Sequence, residues 1–120
     1  MSGFIVIARG EDRNPARRIL DELNEKHRLS GVLWSPQHYY DNEVQLTNKQ
    51  PIICVGGPNA NQVTGELESL CDTLYNENQI KIATKSNRWI VYGTHHSRAA
   101  AELFINKYLM SCVSQIIPKR

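Results

Sequence analysis

The chain has 120 residues, 41% hydrophobic and 22% charged, which suits one domain with a single core. Its 14 basic and 12 acidic residues leave a formal charge of +2. That balance removes the electrostatic case for duplex nucleic acid or an anionic membrane surface, and no apolar run approaches the roughly 20 residues of a membrane-spanning helix.

Residues 1–8 carry no basic leader region, so they read as a first strand and not as a signal peptide. Within them Phe4, Ile5, Val6, Ile7 and Ala8 form an unbroken apolar run, the pattern of a strand covered on both faces. A turn follows over residues 9–14. Asn14 then caps a helix with Pro15 at its first position. Ile19, Leu20 and Leu23 share one face of that helix, which ends near His27 and Arg28. Gly31, Val32, Leu33 and Trp34 make a short second strand. Ser35 and Pro36 open a polar, aromatic segment that is either a short helix through Leu46 or a loop of about a dozen residues, long enough to suggest function.

Ile52, Ile53, Cys54 and Val55 are the clearest strand after the first, and Gly56-Gly57-Pro58 stops it. Asn59 or Asn61 caps the next helix, where Val63, Leu67, Leu70 and Leu74 recur at helical spacing. Residues 79–84 alternate, residues 85–87 have turn chemistry and residues 88–92 are strand-like, which predicts a hairpin. Gly93-Thr94-His95-His96-Ser97 is the last strand-to-helix turn, with Ser97 as N-cap. The final helix runs from about Arg98 towards Ile117. It is apolar on two adjoining sides: Ala100, Leu103, Phe104, Tyr108, Cys112 and Ile116 on one, Ala101, Ile105, Leu109 and Val113 on the next. So wide a stripe implies deep burial, or contact with a second copy or another protein.

Strands alternating with helices predict a single α/β domain over residues 1–120. The expected architecture is a Rossmann-like sandwich with a mainly parallel sheet of about four to five strands, one hairpin strand near the C-terminus and about three main helices. Cys54, Cys71 and Cys112 are odd in number and set in apolar surroundings. They read as buried free thiols in a reducing, cytoplasmic compartment. No CxxC or Cys/His cluster has zinc spacing, so no metal is expected.

In an open parallel sheet, strand-to-helix turns gather at the carboxyl edge, where ligands bind at the switch point of the strand order. Three turns should therefore meet: residues 9–14, 56–61 and 93–97. Gly56 and Gly57 let backbone approach a ligand, and Asn59 and Asn61 offer amides. Each of these residue types also has a sufficient role in a tight turn. The spacing is neither G-x-G-x-x-G nor a P-loop. Arg9, Glu11 and Asp12 either position a polar ligand or form surface ion pairs. Thr94, His95, His96 and Ser97 offer donors to an anion. His95 or His96 would be the acid or base if the protein is an enzyme, although no nucleophile arrangement stands out. Tyr40 offers a ring for stacking, with packing of the segment as the other reading.

The stretch Val55-Gly56-Gly57-Pro58-Asn59-Ala60-Asn61-Gln62-Val63-Thr64-Gly65-Glu66-Leu67 resembles the strand, Gly-Gly-Pro turn and helix of archaeal S-layer core domains. Trp89-Ile90-Val91-Tyr92-Gly93, leading into Ala99-Ala100-Ala101, is similar to a second element of that pattern. The resemblance implies a Rossmann-like turn here. The acidic surface and export signal of that family are missing, so it does not imply a surface-layer role.

Three functions follow as expectations. The first is a small cytoplasmic binding module for a nucleotide-like or other small polar, anionic ligand; no particular cofactor is specified. The second is an interaction domain that forms a homo-oligomer or docks on a protein partner through its C-terminal helix. The third is an enzyme acting on a phosphate-bearing substrate.

Overall fold

Residues 3–42 and 51–116 are described by a computed structural model of the chain. The apolar run at the start forms β1 (Gly3–Ile7), and α1 (Arg13–Lys26) returns the chain to β2 (Ser30–Trp34). Then come α2 (Pro36–Asn42), β3 (Ile52–Val55) and α3 (Gln62–Leu67). A hairpin meander follows, β4 (Asp72–Glu77), β5 (Ile80–Lys85) and β6 (Arg88–Gly93), and two helices close the chain, α4 (Ser97–Lys107) and α5 (Leu109–Ile116).

The described strands form one sheet in the order β2-β1-β3-β6-β5-β4. β2, β1, β3 and β6 run parallel, while β5 and β4 are antiparallel additions beyond β6. Among the described residues the sheet is thus mixed and six-stranded, not the mainly parallel sheet of about four to five strands expected, and five α-helices stand where about three main helices were expected.

Two local events account for the difference. The helix expected to include Leu70 and Leu74 stops early: Cys71 is extended at φ −99°, ψ 148°, and residues 72–77 become β4. Leu70 and Leu74 are 63% and 44% exposed, so their helical spacing reflects no buried face. Asn78 and Gln79 both take positive φ, 53° and 65°, as a two-residue hairpin turn requires. The second event is at Tyr108, whose φ of −120° interrupts the last helix. The wide apolar stripe therefore belongs to two helices. α4 buries Ala100, Ala101 and Phe104, and α5 buries Leu109, Cys112 and Val113. Those six residues join the chain's own core, Leu103, Ile105 and Tyr108 pack against it while partly exposed, and Met110 is left exposed.

Alternation along the central strands builds two apolar layers. Phe4, Val6, Ile53, Val55, Trp89 and Val91 face α1, α4 and α5. Ile5, Ile7, Ile52, Cys54 and Ile90 face Val63 and Leu67 of α3, with Trp34, Tyr39 and Tyr40 packed beside them. Cys54 and Cys112 are buried and Cys71 is only half-buried, so the expectation of three buried thiols holds for two. On α1, Glu22 is buried yet charged: hydrogen bonds from Lys26 and then Arg18 hold its carboxyl below the ordinary carboxylate range. Arg18 also reaches Glu102 of α4 at 3.1 Å and so joins the two helices. No described helix is long and apolar enough to cross a membrane.

Phe4 lies opposite Gly31 in the β1–β2 register, and its ring covers the glycine. A Cβ at position 31 would sit 2.1 Å from the ring. Gly31→Ala is accordingly expected to destabilise the protein by about 1–3 kcal/mol through overpacking, read as a lower urea midpoint at unchanged slope.

Candidate functional site

The strand order reverses between β1 and β3: the chain leaves β1 for β2 on one side and β3 for β4, β5 and β6 on the other. At this switch point the three turns after β1, β3 and β6 converge as expected. Residues 9–12 turn through Gly10 and a single 3-10 turn, where the Asp12 amide donates to the Arg9 carbonyl. α1 then begins at Arg13, one residue before the expected Asn14 cap, because this turn runs straight into it.

The turn after β3 is built around Asn61, which is fully buried. Its Nδ2 donates to the carbonyl of Ile7 at 3.0 Å and to that of Val55 at 3.2 Å, the last residues of β1 and β3. Its Oδ1 accepts from the amides of Val63 and Thr64 and so caps α3. Asn61, not Asn59, is therefore the cap. Gly56 passes beneath the first turn at φ +114°, and a side chain there would meet the Asp12 carboxylate at 2.6 Å. The Thr64 hydroxyl donates to the Gly56 carbonyl at 2.8 Å.

The third turn is tied to the first. The Ser97 hydroxyl donates to Asp12 Oδ1 at 2.5 Å. This corrects the expectation that Ser97 caps α4: the cap position is His96, whose side chain makes no capping bond, and Ser97 is already helical. His95, just before them, takes the left-handed region at φ 60°, a conformation that costs a non-glycine residue of order 1 kcal/mol.

Above these turns lies an open cleft of about 680 Å³. Arg9, Asp12, Gly57, Asn59, Thr94, His95 and Ser97 line it, with Tyr92 forming part of the wall. A second hollow of about 570 Å³ adjoins it, bounded by Ser35, Gln37 and Gln62. The two share Arg9, Pro58, Asn59 and Ala60. The segment after β2 does open as a helix: the His38 amide donates to the Ser35 hydroxyl oxygen at 3.1 Å. Its expected extension to Leu46 lies outside the described residues.

The structure thus gathers Arg9, Gly57, Asn59, Thr94, His95 and Ser97. Gly56 and Asn61 lie beneath the cleft as structure, with both ends of the Asn61 amide engaged within the protein. His96 and Tyr40 are not among the lining residues; Tyr40 packs edge-on against Tyr39 at 5.5 Å and against the second apolar layer. Arg9 and Glu11 form no ion pair among the described residues, and Asp12 takes a serine hydroxyl instead. No three His, Cys, Asp or Glu side chains among the described residues converge in a metal-holding group.

Sequence reading missed Tyr92, which looked like one more strand residue. It forms part of the cleft wall, and its hydroxyl donates to Glu68 Oε2, a residue outside the lining, at 2.5 Å. Lys81 holds the same oxygen at 3.2 Å. Burial first, and then the hydrogen bond to Glu68, push the Tyr92 phenol up to about 12. The same bond from Tyr92 holds the Glu68 carboxyl below its ordinary range. The only advance signal for Tyr92 was its place at the end of a strand that runs into a candidate turn.

Comparison with protein-family models, with curated proteins and with solved structures finds no match.

Asn61→Ala removes a cap and leaves two strand-end carbonyls unsatisfied. A loss of about 2–4 kcal/mol in unfolding free energy is expected, measured by urea denaturation. Because the folded pKa of Tyr92 lies above its unfolded value of 10.0, its contribution to stability is complete below pH 10 and is lost as the pH rises towards 12. Stability over that range should fall more steeply in the unaltered protein than in Tyr92→Phe.

Proposed function

We propose that the protein is a small α/β binding module that holds a nucleotide-like or other small polar, anionic ligand at the carboxyl edge of its sheet. The observation that supports this best is the cleft itself. Three turns, from β1, β3 and β6, meet at the switch point and enclose a volume within the usual range for small-molecule sites.

The chemistry of the lining points the same way. Arg9 offers a guanidinium with no ion-pair partner among the described residues, and Asn59 and Thr94 add exposed polar groups. His95, exposed along the same cleft, adds ring nitrogens that can donate or accept. Asp12 supplies an acceptor for a ligand hydroxyl or amine, because only one of its oxygens is bonded within the described residues. An anionic ligand that also carries donors matches this mixture. Beneath it, the bonds of Asn61, Thr64 and Ser97 hold the floor in place before any ligand arrives, which lowers the ordering cost of binding.

The other readings rest on less. For an enzyme, His95 remains a candidate acid or base at the cleft, whereas His96 lies outside its lining. For an interaction domain, most of the described apolar stripe that suggested docking joins the chain's own core, with Leu103, Ile105 and Tyr108 partly exposed. A cytoplasmic setting goes with the metabolite reading and with the three free thiols.

The test is a thermal-shift screen of nucleotides, sugar phosphates and organic acids, followed by calorimetry on any hit. A true ligand at 100 times its Kd should raise Tm by about 10 °C. Arg9→Ala should then weaken it at least tenfold, about 1.4 kcal/mol, without lowering the Tm of the free protein. Silence across the screen would reject the reading.

A further inference from the structure

The cleft is double, and the two halves differ in chemistry. The first hollow has an aromatic residue, Tyr92, in its lining, and the Tyr92 hydroxyl is engaged by Glu68, which does not line the space. Gly57 lies against that ring: a Cβ there would stand 3.3 Å from it. Asp12 and Thr94 supply an acceptor and a donor beside the ring. This is the environment of a flat polar ring, with a stacking surface on one side and edge hydrogen bonds on another.

The second hollow contains no aromatic wall. Ser35, Gln37 and Gln62 give it uncharged hydroxyl and amide groups. Gln37 donates through Nε2 to Asp41 at 2.9 Å, which orients its carbonyl oxygen. Such a lining suits a neutral group rich in hydroxyls or amides. Between the hollows stands the shared ridge of Arg9, Pro58, Asn59 and Ala60. Arg9 and Asn59 are its only side chains with charged or amide groups, and both are exposed. A guanidinium placed where two hollows meet recognises an anion that lies across the ridge.

We propose that the ligand is a two-part molecule joined through an anionic bridge. A flat polar ring lies against Tyr92, a phosphate-type link lies at Arg9 and Asn59, and a second, neutral polar moiety occupies the hollow of Gln37 and Gln62. Each hollow on its own falls in the size range of a small-molecule site, so a one-part ligand leaves half the cleft unused. This inference rests on the reading of the cleft as a ligand site and narrows the ligand to a bridged class such as the dinucleotides.

Calorimetry with the whole chain separates the two claims. The probes are adenosine monophosphate and, as bridged molecules, nicotinamide adenine dinucleotide and diadenosine diphosphate. At least one bridged probe should bind at least tenfold more tightly than the monophosphate. The double variant Gln37→Ala/Gln62→Ala should abolish that advantage and leave the monophosphate affinity within twofold. Both glutamines are exposed, so the fold survives their removal. Arg9→Ala should weaken both classes at least tenfold. If the monophosphate binds as tightly as every bridged probe, the two-part inference fails while the ligand site stands. If a bridged probe wins but the glutamine variant keeps its full advantage, the second hollow is unused and the inference also fails. Failure of all three probes, together with silence in the broader screen, would remove the site and the inference together.

Discussion

The side chain of Asn61 is the constraint on which this fold's upper edge depends. At a switch point two parallel strands send their connections in opposite directions, and the carbonyls at their ends lose neighbours on that side. One carboxamide serves both ends here. Its nitrogen joins Ile7 to Val55, and its oxygen closes the first turn of α3. The relative position of β1, β3 and α3 is thus set by four bonds to a single buried group. Everything at the edge follows from that placement: the chain must reverse sharply at Gly56, slip under Asp12 and rise again by residue 61.

A division of labour results. Polar groups that are buried or bonded within the chain, namely Asn61, Thr64, Asp12 with Ser97, and Tyr92 with Glu68 and Lys81, hold backbone segments together. Those standing free above them, Arg9, Asn59 and His95, are exposed on the same edge. The first set gives the second a rigid platform. Without it, three loops from three strands would not keep a common geometry, and ordering them would subtract from any binding energy.

The parallel half of the molecule was legible because its signals are local and strong. The apolar runs of β1 and β3 and the Gly56-Gly57-Pro58 stop name the strands, and the register of turns to one edge follows from parallel pairing alone. The antiparallel half was harder. A glycine after Asn78 would have announced the β4–β5 hairpin; Gln79 occupies that left-handed position instead, held by the pairing of β4 with β5 and by the Thr94 amide, which donates to its carbonyl at 2.9 Å. Leu70 and Leu74 then mimicked a helix that the backbone had already left. At the site, residue type alone could not separate Asn59 from Asn61, because both suit a cap. Burial decides it: the asparagine facing inward became structure, and the one facing outward stayed available. For the same reason a tyrosine in a strand could not be told from cleft wall before the fold placed its ring.

The added hairpin also changes what the sheet presents at its margin. Had the sheet ended at β6, its last strand would have been Trp89-Ile90-Val91, a greasy template for any other extended chain. Instead the boundary is β4, with carboxylates at both ends, Asp72 and Glu77, and an irregular step between Thr73 and Tyr75 that breaks the row of ladder bonds. Two copies approaching edge to edge in antiparallel register would set acid against acid. The hairpin therefore works as a guard rail, shielding the apolar centre from growing into an aggregate.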